Sequence, residues 1–294
     1  MIDYIIGVKD LKFDYPDGTT ALRGINLAIE KGQKVAVLGA NGAGKSTLFL
    51  HLNGILRPGK GKVIFEGKEV RYDRSSLMQL RRSVGIVFQD PDSQIFSSNV
   101  LQEISFGPLN LGLSKQEVVQ RVDSAMEATS VNEFKHKPVH FLSYGQKKRV
   151  YIAGVMAMRS RVILLDEPTA GLDPKLSVQM IELFNKINRK GITIIISTHD
   201  VDLAYSWADR VLTMNQGRIT GDGRPEKIFS NQTALKENDL TSPWLLDVYK
   251  ELIKKGWLQE HTFPPRTKDE LFSLINQAGQ DVEEHIMPKV SAME

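Results

Sequence analysis

The stretch Val35-Ala36-Val37-Leu38-Gly39-Ala40-Asn41-Gly42-Ala43-Gly44-Lys45-Ser46-Thr47 decides how the rest of the chain is read. Four apolar residues of strand character run into a glycine-rich loop, which fits the pattern G-x-x-x-x-G-K-[ST] at every fixed position. The glycines let the backbone curl until several N–H groups point inward, and the helix that follows adds its positive end to the same spot. Lys45 supplies a charge for β- and γ-phosphate oxygens, and Ser46 a hydroxyl for Mg²⁺. Gly39, Asn41, Gly42, Gly44, Lys45, Ser46 and Thr47 are therefore the first candidate nucleotide-binding residues, with ATP and Mg²⁺ as the expected ligands.

Working outward, the residues before the loop read as antiparallel strands: Ile5 to Phe13 and Ala21 to Ile29, separated by the turn Pro16-Asp17-Gly18. From Lys34 on, apolar strands alternate with helical patterns. Val35–Leu38, Val84–Phe88, Val162–Asp166 and Ile192–Ser197 predict a parallel sheet of the α/β class, its strands buried on both faces. Ser114 with Glu117 three residues later opens a helix carrying Val118, Val122 and Met126, part of a helical insert expected at about 89–160. Val211–Met214 and Arg218–Thr220 around Asn215-Gln216-Gly217 predict a hairpin, after which strand character stops. The expected division is thus a nucleotide-binding domain over 1–223 and a small helical region over 224–294. The latter has helix starts at Ser242-Pro243 and at Thr267 with Glu270, and its last residues are expected to fray.

Composition narrows the chemistry. At 294 residues the chain can bury one substantial core with length left for a smaller unit. The net charge of +3 and pI of about 8.9 come from scattered residues rather than a basic run, so nothing calls for a nucleic-acid partner. The absence of cysteine removes disulfides, thiolate catalysis and cysteine metal sites. Met1 to Gly7 carries an acid, Asp3, where a signal peptide has basic residues, and is read as the first strand. Apolar runs such as Val162 to Leu165 are of strand length, far short of the ~20 residues that span a bilayer. Work at a membrane would therefore go through a partner.

A second motif, Val162-Ile163-Leu164-Leu165-Asp166-Glu167-Pro168, is a buried strand ending in two adjacent carboxylates. At the carboxyl end of a parallel strand both can reach the phosphate crevice, where open α/β sheets bind ligands. Asp166 is the candidate Mg²⁺ ligand, and Glu167 the group that orients or deprotonates the attacking water. His136 and His140, with Pro138 between them, lack the helix that would align a metal pair and are read as surface or connector residues.

With these motifs in this order, the region from Ile6 to Gly223 resembles the ATP-binding subunits of ABC transporters. The resemblance implies roles for further residues. Leu142-Ser143-Tyr144-Gly145-Gln146 is similar to the family's signature sequence, whose Ser and second Gly contact the γ-phosphate of ATP held by the opposite subunit. Tyr144 stands where the family usually has Gly, an expected obstacle to close approach of the backbone. Gln89 resembles the Q-loop glutamine, which touches Mg²⁺ or the water. Asp173 resembles the aspartate that crosses the dimer interface, His199 the switch histidine at the γ-phosphate, and Tyr15 the aromatic that stacks on adenine.

The segment Gln89-Asp90-Pro91-Asp92-Ser93-Gln94-Ile95-Phe96 resembles that of energy-coupling-factor importers and their cobalt and nickel relatives. There a short helix helps to receive coupling helices of the integral membrane subunit. Pro91 can begin such a helix, Asp92 favours its positive end, and Ile95 with Phe96 offers an apolar face. The resemblance implies an ATPase on the cytoplasmic face of the cell membrane. Its partners would be a transport subunit, a substrate-binding membrane subunit and a second ATPase, either another copy or a related chain. The cargo would be cobalt, nickel or a vitamin, and the helical tails would pack together in the ATPase dimer. The alternatives are a soluble ABC-type ATPase acting on ribosomes or nucleic acid, which usually has two such domains or a long coiled coil, and a P-loop kinase, which needs none of Ser143, Asp173 and His199.

Overall fold

The computed structural model describes residues 3–94, 96–260 and 264–278. The expected fraying end, Ile95 of the importer-like segment, and Met1 and Ile2 of the first strand lie outside them. The antiparallel strands are β1 (Tyr4–Asp14) and β2 (Thr20–Glu30), paired as the alternation predicts. After β3 (Lys34–Leu38) and α1 (Lys45–Leu52), strands β4 (Lys60–Phe65) and β5 (Lys68–Glu69) return to complete a sheet of order β2-β1-β4-β5.

The second sheet is the parallel one. Helix α2 (Arg74–Ser83) leads into β6 (Val84–Val87), and the helical insert follows as α3 (Val100–Asn110), α4 (Lys115–Thr129) and α5 (Tyr144–Ala157). Then come β7 (Val162–Asp166), α6 (Pro174–Asn188), β8 (Thr193–Thr198), α7 (Val201–Trp207) and the hairpin β9 (Arg210–Asn215) with β10 (Arg218–Gly223). Strand order is β10-β9-β3-β8-β7-β6, with β3, β6, β7, β8 and β9 parallel to their neighbours and only β10 antiparallel. The hairpin turns through Gln216 and Gly217, both at positive φ, the two-residue geometry that suits right-twisted strands.

Consecutive residues of the parallel strands feed two different cores, which explains their unbroken apolar runs. Ala36, Leu38, Ile163, Leu165, Ile194 and Ile196 face one cluster, shared with Phe184, Tyr205 and Trp207. Val35, Val37, Val162, Leu164 and Ile195 face the other, where β1, β2 and α1 contribute Ile6, Ile25, Leu48 and Phe49. A third cluster holds the insert together through Val100, Ile104, Val122, Met126, Val150 and Ala153. Ser114 Oγ caps α4 by accepting from Glu117 N at 3.3 Å.

Beyond Gly223 the described residues form α8 (Pro225–Ser230), α9 (Gln232–Glu237), α10 (Trp244–Lys254) and a helix over 268–278. Thr267 and Glu270 form the reciprocal cap of that last helix: Glu270 N donates to Thr267 Oγ1 at 3.2 Å and Thr267 N to Glu270 Oε2 at 3.3 Å. These helices have no separate core. Phe229, Leu235, Leu245, Leu246, Tyr249 and Leu271 join the cluster under the parallel sheet, and Tyr205 Oη donates to Pro265 O at 3.1 Å. Among the described residues no helix is long and apolar enough to cross a membrane.

Candidate nucleotide site

The site lies at the carboxyl ends of β3 and β7, where their neighbouring loops diverge. A cleft of about 270 Å³ is lined by Tyr15, Asn41, Gly42, Gly44, Lys45, Ser46, Thr47, Gln89, Asp166 and Glu167, together with Thr19 to Ala21 and Ala43. Tyr15, Gln89, Asp166 and Glu167, far apart in the chain, thus meet most of the phosphate loop in one place, whereas Gly39 and His199 are not among the lining residues. Gly44 shows why the loop needs glycine. It caps α1 at φ +103°, and a Cβ there would sit 2.8 Å from Ala21 O. A Cβ on Gly39 would come within 2.3 Å of Met214 O, so the loop's entry is packed against β9. At Gly42, φ is +82° and a Cβ would meet nothing within 4 Å, leaving the crown of the loop open to a ligand.

Lys45 is buried, at 6% exposure, and curls back to donate to Gly39 O at 2.6 Å and Ala40 O at 3.2 Å. Burial lowers its pKa from the ordinary lysine value, opposed by the carboxylates of Glu167 and Asp166. Its Nζ stands 3.9 Å from Glu167 Oε1. That oxygen is buried with no hydrogen-bond partner, an unmet acceptor facing a site built for phosphate and water. The other carboxylate oxygen, Oε2, lies 3.0 Å from His199 Nδ1, so the histidine joins the site through Glu167 while its own side chain stays 69% exposed.

Asp166 is held by a residue that sequence reasoning did not single out. Ser197 Oγ donates to Asp166 Oδ1, and Ser197 also accepts from Glu167 N, at 3.0 Å through Oγ and 3.2 Å through its carbonyl. The signal was available in the pairing: Asp166 and Ser197 are register partners on β7 and β8, and Ser197 ends a run of three isoleucines. Ser46, Gln89 and Asp166 offer a hydroxyl, an amide and a carboxylate, all hard oxygen donors of the kind Mg²⁺ takes. Among the described residues no group of three or more His, Asp or Glu could hold a metal alone. A cation here would need the phosphate oxygens of a nucleotide as well, and the donor set fits that arrangement.

Tyr15 sits at the cleft mouth, half-buried, with its hydroxyl 3.0 Å from Thr47 Oγ1 and its ring edge-on to Phe13. Ser143, Gln146 and Asp173 are not in the cleft. Ser143 caps α5, accepting from Gln146 N at 3.3 Å while Gln146 Oε1 accepts from Ser143 N at 3.0 Å. Asp173 caps α6, accepting from Leu176 N at 2.9 Å. Gly145 joins the two helix starts, since a Cβ there would lie 3.1 Å from Leu176 Cδ1. Tyr144 does not crowd this turn. It reaches back to its own chain, donating to Gln89 O at 2.8 Å with its ring against Gly171.

Lys148 was also not singled out, yet it is 2% exposed and donates to the carbonyls of Glu167 and Pro168 at 3.0 Å and of Ala170 at 2.9 Å. Burial pulls its pKa down to about 8, with Glu167 opposing. Its clue is helical spacing: Gly145, Lys148 and Ile152 all lie on the buried side of α5.

The sequence profile of the ABC transporter family matches residues 22–170. The energy-coupling factor transporter ATP-binding protein EcfA of Methanocaldococcus jannaschii is 52% identical over 252 residues, covering 86% of this chain and 90% of that one. A Clostridium perfringens relative named EcfA2, also an energy-coupling factor ATP-binding protein, is 46% identical over 286 residues, 96% of each chain. Among solved structures, cbiO1 of Clostridium perfringens, described as part of the ABC transporter complex cbiONQ, is 45% identical with a TM-score of 0.73 over 86% of this chain and 99% of its own. A dimeric ATP-binding cassette in a post-hydrolysis state with ADP and phosphate is 27% identical with a TM-score of 0.69, covering 75% of this chain and 99% of its own. A phosphate loop, a carboxylate-ended strand and relatives of this extent agree: the chain belongs to the ABC transporter family, as an ATP-hydrolysing subunit of the energy-coupling factor class.

Proposed function

We propose that this ATPase powers an importer for cobalt, nickel or a vitamin, working at the cytoplasmic face of the membrane through a transport subunit and a substrate-binding membrane subunit. The observation that carries the reading is the surface beside Gln89. Pro91–Gln94 form a 3₁₀ turn, Lys147 Nζ donates to Asp92 Oδ1 at 2.5 Å, and Phe96 stands 68% exposed with its ring 5.2 Å from that of the exposed Phe106. Paired apolar rings next to the nucleotide cleft suit an amphipathic helix of a membrane subunit. Relatives named as energy-coupling factor ATP-binding proteins, and the structural neighbour described as part of the cbiONQ complex, support the same partner class.

Two chains face each other in this reading, copies or related subunits, with the C-terminal helices contributing to the contact. ATP phosphates bind the amides of the Gly39 to Thr47 loop, and Lys45 moves from the Gly39 and Ala40 carbonyls to the β/γ oxygens. Tyr15 stacks on adenine. Ser46, Asp166 and Gln89 would hold Mg²⁺, which would supply neutralising charge at the phosphates. Glu167 takes a proton from a water whose oxygen attacks the γ-phosphorus, while the bond from that phosphorus to the β,γ-bridging oxygen breaks. His199 holds Glu167 and reaches the γ-phosphate. Ser143, Gly145 and Gln146 complete the pocket from the other subunit, with Asp173 at the shared edge. The γ-phosphate closes the pair because it is bound better in the closed state than in the open one, and hydrolysis removes that difference.

The test is to trap tagged Glu167→Gln protein with ATP in detergent-solubilised membranes of its host and identify what co-purifies by mass spectrometry. Recovery of a multispanning protein with a substrate-binding membrane subunit supports the importer and reveals its cargo class. Ribosomes or nucleic acid without a membrane partner would overturn it in favour of a soluble ATPase.

A further inference from the structure

The start of helix α5 touches three things at once. Its first turn, Ser143 to Gly145, is the surface proposed above to meet a nucleotide of the other subunit. Its Tyr144 hydroxyl is bonded to the Gln89 carbonyl, and Lys148, one turn further on, is bonded to the loop that carries Glu167. All three N–H bonds of the Lys148 ammonium are used, on the carbonyls of Glu167, Pro168 and Ala170, and the Tyr144 ring lies 4.8 Å from Nζ. A buried ammonium is costly, and here the cost is offset by its three carbonyl acceptors, which an apolar residue would leave unpaired. An apolar residue would also not tie three carbonyls of one loop to helix α5. That loop needs fixing, because Glu167 sits at φ +46°, a left-handed conformation that side-chain-bearing residues seldom adopt.

We propose that Lys148 is a positioning residue for catalysis: through these three carbonyls it ties the Glu167–Ala170 loop to helix α5, so that the helix presenting Ser143 and Gly145 to one nucleotide sets the carboxylate that serves the other. Lys148 touches neither phosphate nor water and acts only through Glu167. The proposal rests on the reading of Glu167 as the catalytic base, and its test separates the two.

The full chain is purified as wild type, Lys148→Met, Lys148→Gln, Glu167→Gln and the double variant Lys148→Met with Glu167→Gln. ATP affinity is measured by titration, turnover by phosphate release and folding by thermal unfolding. Lys148→Met is expected to keep ATP affinity within about twofold and to lose at least about tenfold in kcat, the share of a general-base contribution forfeited by misplacement. Lys148→Gln, whose amide still donates two N–H bonds, should recover a substantial part of that loss and also serves if the methionine variant does not fold. The double variant should be no slower than Glu167→Gln alone, since a group that acts through Glu167 has nothing left to position. Wild-type kcat in both Lys148 variants, or losses that multiply in the double variant, overturns the role of Lys148. Wild-type turnover in Glu167→Gln instead overturns the catalytic reading of Glu167, and the Lys148 proposal with it.

Discussion

The phosphate cleft and the edge formed by the starts of α5 and α6, which the proposed mechanism joins in one reaction, are built in opposite ways. In the cleft, the candidate charges are sunk: Lys45, Asp166 and Glu167 are all below 10% exposure, Lys45 held by carbonyls of its own loop, Asp166 by Ser197 and Glu167 by His199. At the edge, Ser143 and Asp173 are exposed, and their polar atoms are occupied by their own helices. The cleft is a preorganised half-site in which low dielectric strengthens every charge. The edge is a pair of helix ends, whose first-turn N–H groups lack intrahelical partners and would suit an anion brought to them. In the proposed mechanism, chemistry therefore divides between a half that folding completes and a half that association would complete.

The largest expected effect tests the cleft. Glu167→Gln should bind ATP as wild type does while losing turnover by at least ~10²–10⁴-fold, as befits a positioned base; phosphate-release assays at wild-type rate would break the assignment. Lys45→Ala comes next. Removing a cation that makes charge-assisted bonds worth roughly 1.5–3 kcal/mol should weaken ATP binding roughly 10–100-fold by calorimetry, and an unchanged titration would exclude Lys45 from the phosphates.

At the edge the effects should fall on association rather than on binding within one chain. In a Glu167→Gln background, Ser143→Arg is expected to leave single-chain ATP affinity within about twofold yet abolish the ATP-dependent dimer seen by size exclusion; a dimer that persists would remove the edge from the interface. The smallest effect separates capping from function. Asp173→Ala should cost about 1 kcal/mol in thermal stability through the lost cap of α6, whereas Asp173→Asn, an equally good cap, should cost only a few tenths. If Asp173→Asn also keeps full turnover, the aspartate at that edge is a cap and nothing more.

Local sequence determined whatever obeys short-range rules. The loop from Gly39 to Thr47 announces itself because only glycine tolerates the backbone at Gly44, and because Lys-Ser-Thr must stand at a helix start. The parallel strands were legible because burial on both faces demands unbroken apolar runs, and the hairpin because Gln216-Gly217 suits a two-residue turn. What local pattern does not carry is which distant residues meet. Ser197 grips Asp166 through strand register, Lys148 grips the Glu167 loop through the docking of α5 on the sheet, and Tyr144 turns away from its own signature turn toward Gln89. The C-terminal helices likewise read as an appendage but share the core beneath the sheet, because their apolar faces join Tyr205 and Trp207 of α7 in one cluster. Side-chain type and spacing thus name the chemistry, and tertiary structure alone decides which neighbours hold it in place, since those contacts join residues that lie far apart along the chain.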